Sequence, residues 1–284
     1  MPVWINEEWL YTADAHVHTF PEKIAAKAVG KLAHISGITP YTDGTLQQTK
    51  IKMAECGVDH AVLLNIATAP GQEQTINRCA AESNSQHGLT ALGSVHFLSD
   101  DPVNEVHRIK TLGLAGVKLH PDYQDFIIDD ERLFPIYEAC AQEGLPIVFH
   151  AGWDCYSPNL VHAPPERSAH VAEIFPSLKI VLAHFGGLKQ WDEVERYLIG
   201  KNVWFDTAMC ATYADKEQIR RMILSHDPTK IMLGSDCPWE NPRISISWLS
   251  SLHLPQQLLR DILFYNAQAL FGFELPAGSK GESD

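Results

Sequence analysis

Apolar runs that end in a histidine or another polar side chain, each followed by a helical stretch, constrain this chain more than any other feature. The run ends fall at His16, His96, His120, His150, His184, Thr207 and Asp236. Reading the pattern along the chain predicts strands over residues 11–16, 58–65, 90–96, 115–120, 145–150, 178–184, 203–207 and 230–235. The intervening stretches predict helices over 22–33, 45–55, 72–87, 102–112, 132–142, 164–175, 188–199, 214–225, 244–252 and 255–271. Ala61-Val62-Leu63-Leu64 is continuously apolar, as in a strand covered by helices on both faces of a parallel sheet. Gly57, Gly144 and Gly200 stand where helices should stop, and Pro164 and Pro165 suit a first helical turn.

Eight strands alternating with helices admit a closed barrel or an open doubly wound sheet. In a barrel the strand C-terminal ends converge on one mouth, where active sites are built. An open sheet would leave only the ends near its switch point together, and no G-x-G-x-x-G follows the first strand to mark a dinucleotide site. The expected fold is therefore α/β, a (β/α)8 TIM barrel. It should form a single domain over residues 1–275, with a small polar tail, 276–284, expected to be disordered.

The opening stretch Asp14-Ala15-His16-Val17-His18 bears most directly on chemistry. Side chains two apart on a strand share a face, so His16 and His18 can both reach one ion. Neutral imidazole is a good ligand for zinc, iron or manganese. Any one strand-end histidine or aspartate, taken alone, is better read as a polar cap; five such residues on four strands, added to the H-x-H opening, argue for a site.

Composition narrows the remaining classes. The 284 residues carry 22 basic and 35 acidic side chains, a formal charge of -13, which opposes binding to a phosphate backbone. No signal peptide opens the chain and no apolar run could span a bilayer, so a cytoplasmic protein with no membrane or nucleic-acid partner is expected. The six cysteines lack C-x-x-C spacing and read as reduced thiols. A small-molecule substrate is the expected partner; homo-oligomerisation stays open.

The opening, with Gly116-Val117-Lys118-Leu119-His120-Pro121, Ala183-His184-Phe185-Gly186-Gly187 and Gly234-Ser235-Asp236-Cys237-Pro238, resembles the amidohydrolase superfamily. Within it, the closest resemblance is to the amidohydrolase-2 (amidohydrolase-related) family, which includes aminocarboxymuconate-semialdehyde decarboxylase. The resemblance implies one divalent transition metal, most often zinc with iron or manganese as alternatives, and no organic cofactor. By the same likeness His16, His18, His150 and Asp236 are its ligands, and His184 orients water or transfers a proton. Asp236 would ligate through one oxygen and accept a proton through the other.

Lys118 has two readings, a carboxylated lysine bridging two metals or an interior lysine paired with an acid. His120 reads as a substrate contact or a group supporting the ligands. Trp153 and Trp239 either stack on a planar substrate or pack the barrel rim. Asp206 either orients a histidine or caps its strand. Taken together, the expected activity is hydrolysis of a small-molecule C–N or C–O bond by metal-activated water. The alternative is non-oxidative decarboxylation of a small unsaturated or aromatic acid at the same site.

Overall fold

The computed structural model describes residues 2–274, so the expected tail at 276–284 lies outside the described residues. Ten strands occur among them. Val3–Ile5 (β1) and Glu8–Leu10 (β2) form an antiparallel hairpin ahead of the barrel. The barrel strands are Ala13–Val17 (β3), His60–Leu64 (β4), Leu89–Leu92 (β5), Val117–Leu119 (β6), Ile147–Phe149 (β7), Ile180–Leu182 (β8), Trp204–Asp206 (β9) and Ile231–Met232 (β10). All eight pair in parallel, in the orders β3-β4-β5 and β6-β7-β8-β9-β10. Bridges at Gly93–Val117 and Val17–Cys237 join the two sheets into a closed barrel. The backbone bonds Lys118 N to Gly93 O (2.8 Å) and His18 N to Cys237 O (2.7 Å) lie across those seams.

Helices follow the strands; Gly57 and Gly144 end theirs as the sequence signals, while the helix expected over 188–199 runs only from Trp191 to Tyr197, short of Gly200. Thr45 caps Leu46–Cys56 by accepting from Gln48 N, and Gly57 ends that helix at a φ of 84° that a residue with a side chain rarely adopts. Asp101 caps Pro102–Thr111 in the same way. The helix expected to reach residue 87 ends earlier, at Asn84. The stretch expected as one helix over 255–271 contains a wider-wound segment, Asp261–Tyr265.

The barrel interior is filled by Ala13, Ala15, Val62, Leu64, Leu92, Val148, Val181 and Met232, closed off by Phe264, Ala267 and Phe271. A larger core lies between the strands and the surrounding helices and includes Val17, Leu63, Leu119, Phe149, Leu182 and Phe205. The register between β3 and β4 shifts between Asp14 and Val17. That irregularity changes the phase of the strand: Ala13 and Ala15 stay with the interior, Val17 joins the outer core, and His16 and His18 turn to the mouth. No helix among the described residues is long and apolar enough to cross a membrane, and all six cysteines are free thiols.

Candidate metal centre

Three donor atoms converge where β3 meets the segment after β10. His16 Nε2 and His18 Nε2 are 3.1 Å apart, and Asp236 Oδ1 lies 3.3 and 3.2 Å from them. The other ring nitrogens decide which atoms are bare. His18 Nδ1 faces the Leu64 carbonyl at 2.9 Å; a carbonyl only accepts, so that nitrogen carries the proton. His16 Nδ1 donates to Asp206 Oδ2 at 2.8 Å. Both Nε2 atoms thus present lone pairs to each other and to a carboxylate oxygen, an arrangement that repels itself unless a cation stands among them. The residues fit a divalent transition ion.

Local backbone holds each donor. Asp14, buried, accepts from His16 N (3.1 Å), Ser235 N (2.9 Å) and Ser235 Oγ (2.5 Å), tying β3 to the last barrel segment. Burial raises its carboxyl to about 7. Asp236 takes a left-handed backbone, φ 70°, with its N–H on the His16 carbonyl at 2.9 Å. Gly234 lies against His16 and Asp206, where a Cβ would come within 3.0 Å of either side chain. Burial pushes the Asp236 carboxyl up, but the imidazoles of His16, His18 and His184 outweigh it and hold it at about 2. Burial drives His16 well below its ordinary value, so it is neutral and available as a ligand.

His184 also adopts a left-handed backbone, φ 58°, so the histidine leaves the line of β8 and enters the mouth. Its Nδ1 donates to Ala208 O (3.2 Å) and its backbone N–H to Asp206 Oδ1 (2.9 Å). Its ring lies 5.2 Å from that of His16, centroid to centroid, and burial lowers it to about 4. Asp206 therefore serves as the orienting carboxylate, holding His16 and the His184 backbone together.

His150 is placed differently from expectation. Its Nδ1 meets His184 Nε2 at 3.0 Å, and its Nε2 faces Asp154 Oδ2 at 3.5 Å. It groups with His120 and Asp154, not with the His16, His18 and Asp236 donors. Packing sets this orientation: the His150 ring lies flat on His120 (4.4 Å, 9°), which lies flat on Tyr123 (3.6 Å, 2°). Lys118 is completely buried, and no hydrogen-bond partner meets its Nζ, so the expected direct acid pairing is absent. Burial lowers it to about 8 against the pull of Asp206, Asp236 and Asp154.

Trp153 and Trp239 are half-buried against the outer core. The Trp153 indole N–H reaches Pro158 O, and Lys189 Nζ sits 3.7 Å from its ring centre. The sequence reading missed Asp122 and Asp154. Asp122 falls in the first turn of the short helix Pro121–Gln124, directly after a strand-end histidine, and that position was the available signal.

Metal-dependent enzymes of the barrel class are built around donor sets of this kind. A family model described as amidohydrolase (Amidohydro_2) matches residues 13–273, and the chain belongs to that family. A curated relative, the 2-amino-3-carboxymuconate-6-semialdehyde decarboxylase of Dictyostelium discoideum, is 24% identical over 196 residues. That stretch is 55% of this chain and 53% of the relative, so the match spans about half the relative's length.

Among solved structures, the 5-carboxyvanillate decarboxylase of Sphingomonas paucimobilis aligns at TM-score 0.72 and 17% identity. The alignment covers 93% of this chain and 100% of that one. A 5-carboxyvanillate decarboxylase of Novosphingobium aromaticivorans, solved with bound manganese, aligns at TM-score 0.67 and 15% identity over 93% and 97%. At these identities the structural likeness speaks for the fold.

Proposed function

We propose that this chain is a metal-dependent, non-oxidative decarboxylase acting on a small unsaturated or aromatic acid. The observation that carries this reading is that the curated relative matched by sequence and several of the solved structures this chain resembles are decarboxylases by name, although a probable 2-pyrone-4,6-dicarboxylic acid hydrolase is also among those structures. It moves ahead of the hydrolysis expected from the sequence, which keeps the family's name in its favour.

His16, His18 and Asp236 would hold the ion, zinc or manganese. When bound, the ion supplies Lewis-acid polarisation of a substrate oxygen. Asp236 stays ionised at neutral pH and keeps its negative charge on the donor set. Lys118 brings a buried cation whose Nζ has no hydrogen-bond partner to a region of histidines and carboxylates, and so suits the acid group of a substrate. Arg167 is engaged with Asp129, and Arg243 with the Glu55 carbonyl. In the reaction the C–C bond to the carboxylate breaks, carbon dioxide leaves, and the electron pair stays on the substrate carbon. A proton from solvent then fills that position. His184, whose ring lies 5.2 Å from that of His16 and whose Nε2 meets His150 Nδ1, is the histidine assigned to that proton transfer, by exchange along the His150–His184 contact.

The test is to load the protein with zinc or manganese and offer it aromatic and unsaturated acids beside amides, esters and lactones. Release of carbon dioxide in step with substrate loss is expected. Hydrolysis products without carbon dioxide would return the hydrolytic reading, and no turnover at full metal occupancy would remove both.

A further inference from the structure

The turn that carries His184 into the mouth is strained beyond that one residue. His184, Phe185 and Gly186 follow one another with left-handed backbones, at φ 58°, 52° and 82°. Only the glycine adopts that region freely. A histidine and a bulky aromatic keep it only where their surroundings over-determine it.

Part of the restraint comes from β9. His184 N donates to Asp206 Oδ1 (2.9 Å) and Phe185 N to Asp206 O (2.7 Å). The Phe185 ring, fully buried, stacks on Phe205 at 4.9 Å between centroids. None of these engages the His184 carbonyl. That oxygen receives a long bond from Gly187 N (3.4 Å) and a shorter one from the indole Nε1 of Trp191 (3.1 Å).

Trp191 opens the helix Trp191–Tyr197 and is 7% exposed. An indole has one donor and no acceptor, and a buried one must find an acceptor. Trp191 gives its donor to the residue whose ring enters the mouth. The planar peptide between His184 and Phe185 is thus held at both ends, its N–H by Asp206 O and its C=O by Trp191. The peptide before His184 is held by Asp206 Oδ1. With both planes fixed, the direction of the His184 Cβ is set. From there Nδ1 reaches Ala208 O at 3.2 Å and the ring lies 5.2 Å from that of His16.

We infer that Trp191 is a positioning residue for His184: its indole N–H holds the turn in its left-handed form and so aims the imidazole. The inference rests on the reading of His184 as the proton-transfer group.

Trp191→Phe keeps an aromatic ring in the same place and removes the N–H. Nitrogen NMR of the metal-free protein reads the His184 tautomer, and carbon dioxide release by the manganese-loaded enzyme, from an acid that the parent turns over, reads the consequence. In the parent a single tautomer protonated at Nδ1 is expected. In Trp191→Phe the two nitrogen signals should move toward each other as the ring samples other placements. The variant's kcat should fall by about tenfold or more, a share of the roughly 10²–10⁴-fold that a placed proton-transfer group contributes. KM should stay within about twofold, since the loss falls on the reacting step. Val171→Ala, in the neighbouring helix Pro165–Ile174, controls for lost stability and should leave both readouts unchanged.

His184 signals in Trp191→Phe identical to the parent's would overturn the inference, as would equal changes in Val171→Ala. Altered signals with undiminished kcat would uphold the positioning and remove His184 from the proton transfer. If Trp191→Phe fails to fold, as judged by circular dichroism, indole proton exchange in the parent decides. Exchange at Trp191 as fast as at Trp4 and Trp9, which are 58% and 60% exposed, would overturn the inference, and slow exchange would support it.

Discussion

Replacing Asp206 by Asn should loosen metal binding without dismantling the fold. The carboxylate is buried and accepts three hydrogen bonds, from His16 Nδ1 (2.8 Å), His184 N (2.9 Å) and Ala208 N (3.0 Å). An isosteric amide can keep its oxygen on the two backbone donors, which share Oδ1. Its nitrogen then faces His16 Nδ1, donor against donor. The contact recovers only if the imidazole moves its proton to Nε2, the atom that faces His18 and Asp236. An incoming ion must displace that proton, and the orienting charge is gone. Outer carboxylates of this kind are worth 10–100-fold in metal affinity, or about 1.4–2.7 kcal/mol.

Global stability should move less. Losing a charge-assisted hydrogen bond costs roughly 1.5–3 kcal/mol, while removing a buried charge that burial already disfavours gives part of that back. Competition with a chromophoric chelator would measure the affinity, and nitrogen NMR of His16 would report the tautomer. Zinc affinity within about twofold of the parent, with Nδ1 of His16 still protonated, would refute the orienting role.

Three further outcomes are expected. Asp236→Asn should lower kcat by roughly 100-fold or more with a smaller effect on KM, while circular dichroism stays unchanged; activity within a few-fold of the parent would remove it from the catalytic machinery. His60 is held by Thr90 Oγ1 (2.8 Å) and stacked on Phe273, and burial lowers it from 6.5 to about 4. The unfolded chain therefore binds a proton before the folded one does. This contribution is complete above pH 6.5 and declines as pH falls toward 4, by roughly 3 kcal/mol in all. Urea unfolding at pH 7 and 4.5 should show a shallower loss in His60→Gln, and parallel losses would exclude the assignment. Gly152→Ala should destabilise by at least about 2 kcal/mol, because the new Cβ at φ 88° would lie 2.1 Å from Leu188 N; unchanged chemical stability would show that the 187–188 backbone yields.

Much of the barrel was legible in the sequence because its strands are buried on both faces. Runs such as Ala61-Val62-Leu63-Leu64 and Ile180-Val181-Leu182 leave no choice of a solvent face, and glycines such as Gly57 and Gly144 mark helix ends through their own backbone freedom. The hairpin over Val3–Leu10 was not legible. Its turn, Asn6 and Glu7 at φ 51° and 67°, lacks the glycine that usually signals such a turn, and its strands are three residues long.

At the site, spacing was enough to join His16 to His18, since period two governs both. It could not show that the strand slips register to bring them inward beside Ala13 and Ala15. Nor could it orient the His150 ring, which is set by His120, Tyr123 and His184, contributed by other strands and turns. Asp154 lies in a loop, where periodicity says nothing about direction.

The Asp14 clamp on Ser235 has a temporal consequence. It joins residues 221 positions apart, and the same seam brings Asp236 to His16 and His18. During synthesis the two histidines emerge about 220 residues ahead of their carboxylate partner. Until then the nascent polypeptide offers at most an H-x-H pair, a weak and unselective chelator. Tight capture of an ion is thereby deferred until the ring of strands has shut, and a ribosome-bound fragment ending before residue 236 should hold metal no better than an unfolded peptide.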